Sequence, residues 1–167
     1  MNSEITGIIV VGGTRTDYLI NRGISSGIIK DFQDYADYCN IKYKRLITNF
    51  LELGGIHLIM PALSWQLFVD RGEKYAASIA EIIKMLAYPE MENFYKQHNI
   101  QPRFAGLEPL LRSSNQTFKK TAQYLNDFQE KFTSVSSSHY LIWEIAPIPL
   151  LTIGQAQMPD IEGLDIK

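Results

Sequence analysis

Two spacings of apolar residues divide the chain into elements. Ile8–Val11 is a short β-branched run bounded by glycines and predicts a buried strand. Residues 12–24, with Gly12, Gly13 and Gly23, read as a loop. Ser25 or Ser26 can cap the helix that follows. In it Ile28, Phe32, Tyr35, Cys39, Tyr43, Leu46, Ile47 and Phe50 recur at three- and four-residue spacing, which makes one apolar face. Gly54-Gly55 closes it. A second strand covers 56–60 and stops at Pro61, and residues 61–69 connect it to a helix opened by Asp70 or a neighbour. Tyr75, Ile79, Ile82, Ile83 and Leu86 mark that helix's inner face. Pro89 starts a short helix over 90–98 with Met91, Phe94 and Tyr95 inward, and Asn99 stops it. A third strand spans 100–104. Ser114 or Asn115 caps a helix with Phe118, Ala122, Leu125, Phe128 and Phe132 on one face, and a fourth strand covers 140–145.

The order β-α-β-α-α-β-α-β predicts an α/β fold, a mostly parallel sheet flanked by helices and covered on both faces. Residues 1–146 form that domain, and the Pro- and Gly-rich stretch 147–167 reads as an irregular tail. In such sheets ligands gather at the carboxyl edge of the strands. Gly12–Arg15, Pro61–Asp70 and Gly106 are expected to converge there.

Composition narrows the field. The 167 residues are 46% apolar and 20% charged with net charge −2, which is ordinary for a globular domain and offers no basic field for nucleic acid. A single cysteine, Cys39, excludes an internal disulfide and fits a reducing compartment. No apolar run approaches a membrane span, and MNSEITG lacks the basic start and long apolar stretch of a secretory signal. A cytoplasmic protein is expected.

Two stretches carry candidate chemistry. In GIIVVGGTRTDY, glycines at a strand's carboxyl end let backbone N–H groups turn toward an anion, and Arg15 can clamp phosphate oxygens. A tight turn with a solvated arginine accounts for the same residues. The loop is neither GxxxxGK[ST] nor GxGxxG. In LSWQLFVDRGEKY, Asp70 is either a helix cap with Arg71 as its surface neighbour, or the two stand at a pocket mouth. His57, His98 and His139 have no metal-ligand spacing. His57 reads as a satisfied core histidine and Cys39 as a small core residue.

Taken in this order, these stretches resemble the cis-prenyltransferase (undecaprenyl diphosphate synthase) superfamily, with the nearest likeness to its tuberculosinyl-transferase branch. The residues that carry it are Gly12-Gly13-Thr14-Arg15; Gly55-Ile56, Pro61 and Ser64; Asp70-Arg71-Gly72 with Tyr75; Phe94-Tyr95-Lys96; and Arg103-Phe104 with Gly106. They cover about residues 7–112.

The resemblance implies an isoprenoid diphosphate as ligand, held by the Gly12, Gly13 and Thr14 backbone and Arg15. It implies an elongated apolar tunnel and chemistry that begins with loss of diphosphate, leaving an allylic cation. Anion donors and a dry aromatic wall serve such a reaction. Trp65, Phe68, Phe32, Tyr35 and Tyr38 can supply the wall, or equally pack a core. Asp70 and Arg71 would organise the entrance. The branch's functional tyrosine corresponds to Tyr38 by motif and lies nearer Tyr35 by spacing from Gly55. The resemblance also implies Mg²⁺, but the family's aspartate is replaced here by Gly12. No residue is assigned as a metal ligand, and Asp17 would have to reach back to serve. The stretch past the fourth strand also lacks the family's arginine.

Two functions follow. One is prenyl transfer or terpene cyclisation by diphosphate ionisation. The other is a non-catalytic prenyl-lipid-binding protein or partner subunit in a heteromeric cis-prenyltransferase. A homo- or hetero-oligomer is expected on either. A nucleotide- or sugar-phosphate-binding module would need a ribose-binding acid after the second strand, and Met60-Pro61-Ala62 supplies none.

Overall fold

The computed structural model describes residues 4–63, 75, 77–133 and 136–145. Strand β1 (Ile5–Ile8) leads to helices α1 (Thr14–Asn21) and α2 (Phe32–Glu52), then to strand β2 (Gly55–Leu63). Helix α3 (77–83) runs into a 3-10 turn (Lys84–Ala87) and helix α4 (Pro89–Gln97). Strand β3 (Ile100–Ala105), helices α5 (Glu108–Arg112) and α6 (Gln116–Glu130) and strand β4 (His139–Ile145) complete the order. The strands form one sheet, β1-β2-β4-β3, with every pairing parallel. Their carboxyl ends therefore share one edge.

Register separates the two faces. Leu58 pairs with Gly7 and Leu141, and Trp143 pairs with Met60 and Phe104. Alternation along each strand turns these residues to one side, where Leu58, Met60, Phe104, Leu141 and Trp143 are all buried. The Trp143 indole N–H donates to the Tyr95 hydroxyl of α4 (3.0 Å), and its ring meets Tyr43 of α2 edge-on at 5.4 Å. Tyr95 meets Phe128 of α6 at 6.1 Å. Helices α2, α4 and α6 thus share this face. The expectation of helices on both faces is corrected: among the described residues they gather on one. On the other, Ile8, Ile59 and Ile142 lie outside the buried core and the side chains packed against it.

Several boundaries differ from the sequence reading, each for a local reason. The first strand is Ile5–Ile8 rather than 8–11, because Ile9 and Val11 continue to pack against the core after the ladder ends. Residues 14–21 are helix, not loop. The long helix is capped by Asp31, whose carboxylate accepts from Asp34 N–H (2.9 Å), rather than by Ser25 or Ser26. Gly54, at φ 84°, ends it, while Gly55 opens β2. Strand β2 runs through Pro61. Ile59 points its carbonyl at Ile9 N–H (3.0 Å), so Pro61, two residues on, turns its nitrogen the same way, where β1 has already left the ladder. Asn115 caps α6 as expected, accepting from Thr117 N–H (2.9 Å).

Candidate functional site

The site starts at the bend after β1. Gly13 is left-handed (φ 73°) and stands at the N-cap of α1 with no side-chain cap. The first backbone bond of the helix runs from Asp17 N–H to Gly13 carbonyl (2.9 Å). The amides of Thr14, Arg15 and Thr16 precede it and have no intrahelical acceptor. They stand at the positive end of the helix dipole. Thr14 Oγ1 shares a 3.0 Å hydrogen bond with the Tyr35 hydroxyl, and the Arg15 guanidinium donates to the Gly27 carbonyl.

Thr14 and Arg15 line a cavity of about 350 Å³ at the carboxyl edge, with Val10 and Val11 beside them and Pro61–Leu63 at the end of β2. One wall is a stripe of α2, Tyr35, Cys39 and Tyr43, spaced by four residues. Across from it stand Ile79, Ile82 and Ile83 of α3. Burial pushes the Tyr35 and Tyr43 phenols above their ordinary range and the Cys39 thiol up to about 11. All three are neutral at physiological pH. The described lining holds no carboxylate and no histidine. Such a cavity is equipped to hold an anion at its mouth and an apolar chain inside, and its described lining has no nucleophile–base pair.

Of the residues singled out in the sequence, Thr14, Arg15 and Tyr35 come together here, next to Gly12 and Gly13. Tyr38 does not line the cavity: its hydroxyl donates to Asp17 Oδ2 (2.5 Å) on the α1–α2 seam. Asp17 is further engaged by Asn21 and, at 3.5 Å, by Lys42. Phe32 borders a separate groove with Gln33 and Ala36. Gly106 (φ 83°) follows β3 at the shared carboxyl edge but is not among the described residues that line this cavity. Trp65, Phe68, Asp70 and Arg71 lie outside the described residues. His57 is corrected too: it is half-exposed, 3.4 Å from Glu4 and stacked on Tyr140, rather than in the core. Among the described residues no cluster of three or more His, Cys, Asp or Glu can hold a metal. Among the described residues the mouth holds no carboxylate, so those residues by themselves do not make a Mg²⁺ site.

The architecture matches a known one. It is similar to the crystal structure of lavandulyl diphosphate synthase from Lavandula x intermedia in complex with dimethylallyl diphosphate, with a TM-score of 0.57 at 17% identity. The match covers 83% of this chain and 53% of that chain, so this chain spans about half the synthase's length. This is a cis-prenyltransferase-like fold. No family model and no curated protein matches the chain. At this identity the likeness is one of fold alone.

Sequence reasoning placed Tyr35, Cys39 and Tyr43 on one apolar face, offered Tyr35 for the cavity wall, read Cys39 as a small core residue and gave Tyr43 no role beyond that face. Their spacing of four, together with the chemistry of a phenol, a thiol and a phenol in one stripe, is the signal that marks a lining. The clip of Tyr18, Arg22 and Asp34, which holds α1 to α2, left no sequence signal.

Proposed function

We propose that this chain handles an isoprenoid diphosphate, by prenyl transfer or terpene cyclisation through diphosphate ionisation. The observation that carries this reading is the uncapped N-terminus of α1, with Arg15, opening onto an apolar, phenol-lined cavity at the strand ends. Diphosphate oxygens accept from the Thr14–Thr16 amides, the Thr14 hydroxyl and Arg15. The hydrocarbon lies along the α2 stripe. The C–O bond breaks, its electron pair leaves with the diphosphate, and an allylic cation remains. Tyr35, neutral and at the mouth, presents the ring quadrupole to that cation. It takes this role in preference to Tyr38, which is bonded to Asp17. Trp65, Asp70 and Arg71 are assigned to the entrance from their position after β2.

Purified protein incubated with dimethylallyl, farnesyl and geranylgeranyl diphosphates, with and without Mg²⁺, is expected to release pyrophosphate. Arg15→Ala should slow release about a hundredfold, the scale of one lost preorganised donor. No turnover with any chain length ends the catalytic reading.

A non-catalytic lipid-binding or partner-subunit role is the second reading. It is favoured by Gly12 at the position of the family's aspartate and by the engagement of Asp17 elsewhere. Gly12→Asp separates the two readings, because a Cβ there meets nothing within 4 Å. Turnover gained only in the variant supports the non-catalytic reading. Turnover in the wild type that the variant abolishes supports the catalytic one.

A further inference from the structure

Residues 13–27 form a unit set apart from the main core. Helix α1 buries one side chain, Tyr18, which lies outside the main core cluster, and Ile20 on its outer side is 73% exposed. Two left-handed glycines bound the unit, Gly13 (φ 73°) and Gly27 (φ 67°), and beyond Gly27 the chain is anchored again by buried Ile29. Glycine adopts and leaves such backbone angles at little steric cost, as a hinge requires. The Arg15 guanidinium donates to the Gly27 carbonyl and so ties the loop after α1 to the helix across the base of the unit. Among the described residues, every side-chain hydrogen bond that leaves the unit ends on α2, joining Thr14 to Tyr35, Tyr18 and Arg22 to Asp34, and Asp17 to Tyr38. The Tyr18 ring meets Tyr35 and Tyr38 edge-on, at 5.1 and 5.5 Å. The ion pairs of Arg22 with Asp34 and of Lys42 with Asp17 are exposed, and exposed pairs hold little. One buried anchor and a set of exposed polar ties put this unit at the low end of local stability.

We propose that this unit is a hinged lid, which swings off α2 to open the cavity and is held shut by a ligand that reaches from α1 to the α2 stripe. Thr14 and Arg15 are the lid's share of the lining. Opening carries them away and leaves the walls of α2, α3 and the end of β2 standing, with the mouth widened. It also draws Tyr18 out from beside Tyr35 and Tyr38 and gives its hydroxyl water in place of Asp34. A ligand shifts such an equilibrium only by what it gains in the shut state. A diphosphate alone meets the amides that travel with the lid. A hydrocarbon alone meets the walls that stay. A molecule carrying both groups makes its second set of contacts only when the lid is shut, so it alone bridges the hinge. This ligand-held closure rests on the diphosphate reading; the opening of the free protein does not.

Native-state hydrogen exchange of the full chain, followed residue by residue, tests the lid first without ligand. The amides of Asp17, Arg22 and Ile24 are bonded inside the unit. They should exchange about a hundredfold faster than those of α6 and respond weakly to urea, because local opening exposes little surface. Tyr18→Ala should speed them about tenfold further and leave α6 unmoved, whereas a general loss of stability would move both. If Tyr18→Ala fails to fold, Arg22→Ala, at the exposed end of the clip, carries the same comparison. Farnesyl thiodiphosphate, whose C–S bond resists ionisation, should slow the three amides about tenfold when present at about ten times its Kd. Inorganic pyrophosphate and farnesol at equal occupancy should slow them less. Lid amides that exchange together with α6, at one rate and one urea dependence, overturn the inference and leave the diphosphate reading standing. So does farnesyl thiodiphosphate that binds by calorimetry without slowing them. Absence of any binding overturns the closure and the diphosphate reading together.

Discussion

Gly12 and Gly13 are adjacent and do different work. Gly13 is left-handed at φ 73°, so any L side chain there is strained. Gly12 has no positive φ and open space where its Cβ would stand. Gly13→Ala should therefore cost about 1–2 kcal/mol, whereas Gly12→Ala should leave stability within about 0.5 kcal/mol. Urea denaturation midpoints of the two variants check the contrast, and equal losses would mean that the bend is not built as described. At this scale the sequence showed which residue types meet at the bend, because Gly-Gly-Thr-Arg after a β-branched run is a local pattern. It could not separate Tyr35 from Tyr38. Both lie on the α2 side that meets α1, three residues apart, and only the docking of α1, which takes the Tyr38 hydroxyl to Asp17, parts them.

That docking belongs to the scale of elements. Helix α1 buries one residue, Tyr18, and is held to α2 by polar contacts. The Tyr18 hydroxyl donates to Asp34 Oδ2 (2.8 Å), and Arg22 Nε donates to the same oxygen (2.9 Å). The Tyr18 bond first, then Arg22, holds the Asp34 carboxyl below its ordinary value; Tyr38 first, then Lys42, does the same for Asp17. A depressed carboxyl contributes its stabilisation above the unfolded-state pKa, and that contribution is lost as pH falls through the lower folded value. Carbon-13 titration of the two carboxyls should give midpoints below 3.8. Tyr18→Phe and Arg22→Ala should each raise the Asp34 midpoint, since both groups hold its carboxylate. A midpoint at the ordinary value in the wild type would show that the clip is not formed. The weakness of α1 as an apolar pattern is also why it read as loop: a helix with one buried residue and a glycine N-cap has no stripe to find. Helices α4 and α6 were legible because they bury Met91, Phe94 and Tyr95, and Phe118, Ala122, Leu125 and Phe128, at helical spacing behind Pro89 and Asn115.

On the scale of the molecule, one side of the sheet carries the packing. Trp143 is wholly buried and joins β4 to α2 through Tyr43 and to α4 through Tyr95, whose hydroxyl donates a hydrogen bond to the Leu86 carbonyl (2.8 Å). The apolar runs at 8–11 and 56–60 read as strands buried on both faces, since a half-exposed strand would alternate. The described chain meets that demand on one face only, so the sequence reads as written for a layer the described helices do not provide. The two faces should therefore respond differently to substitution. Trp143→Ala removes the shared node and should cost about 3–5 kcal/mol. Ile8→Thr, at a side chain 66% exposed, should shift stability by no more than about 0.5 kcal/mol. A large loss at Ile8 in urea denaturation would mean that the outer face of the sheet is covered there.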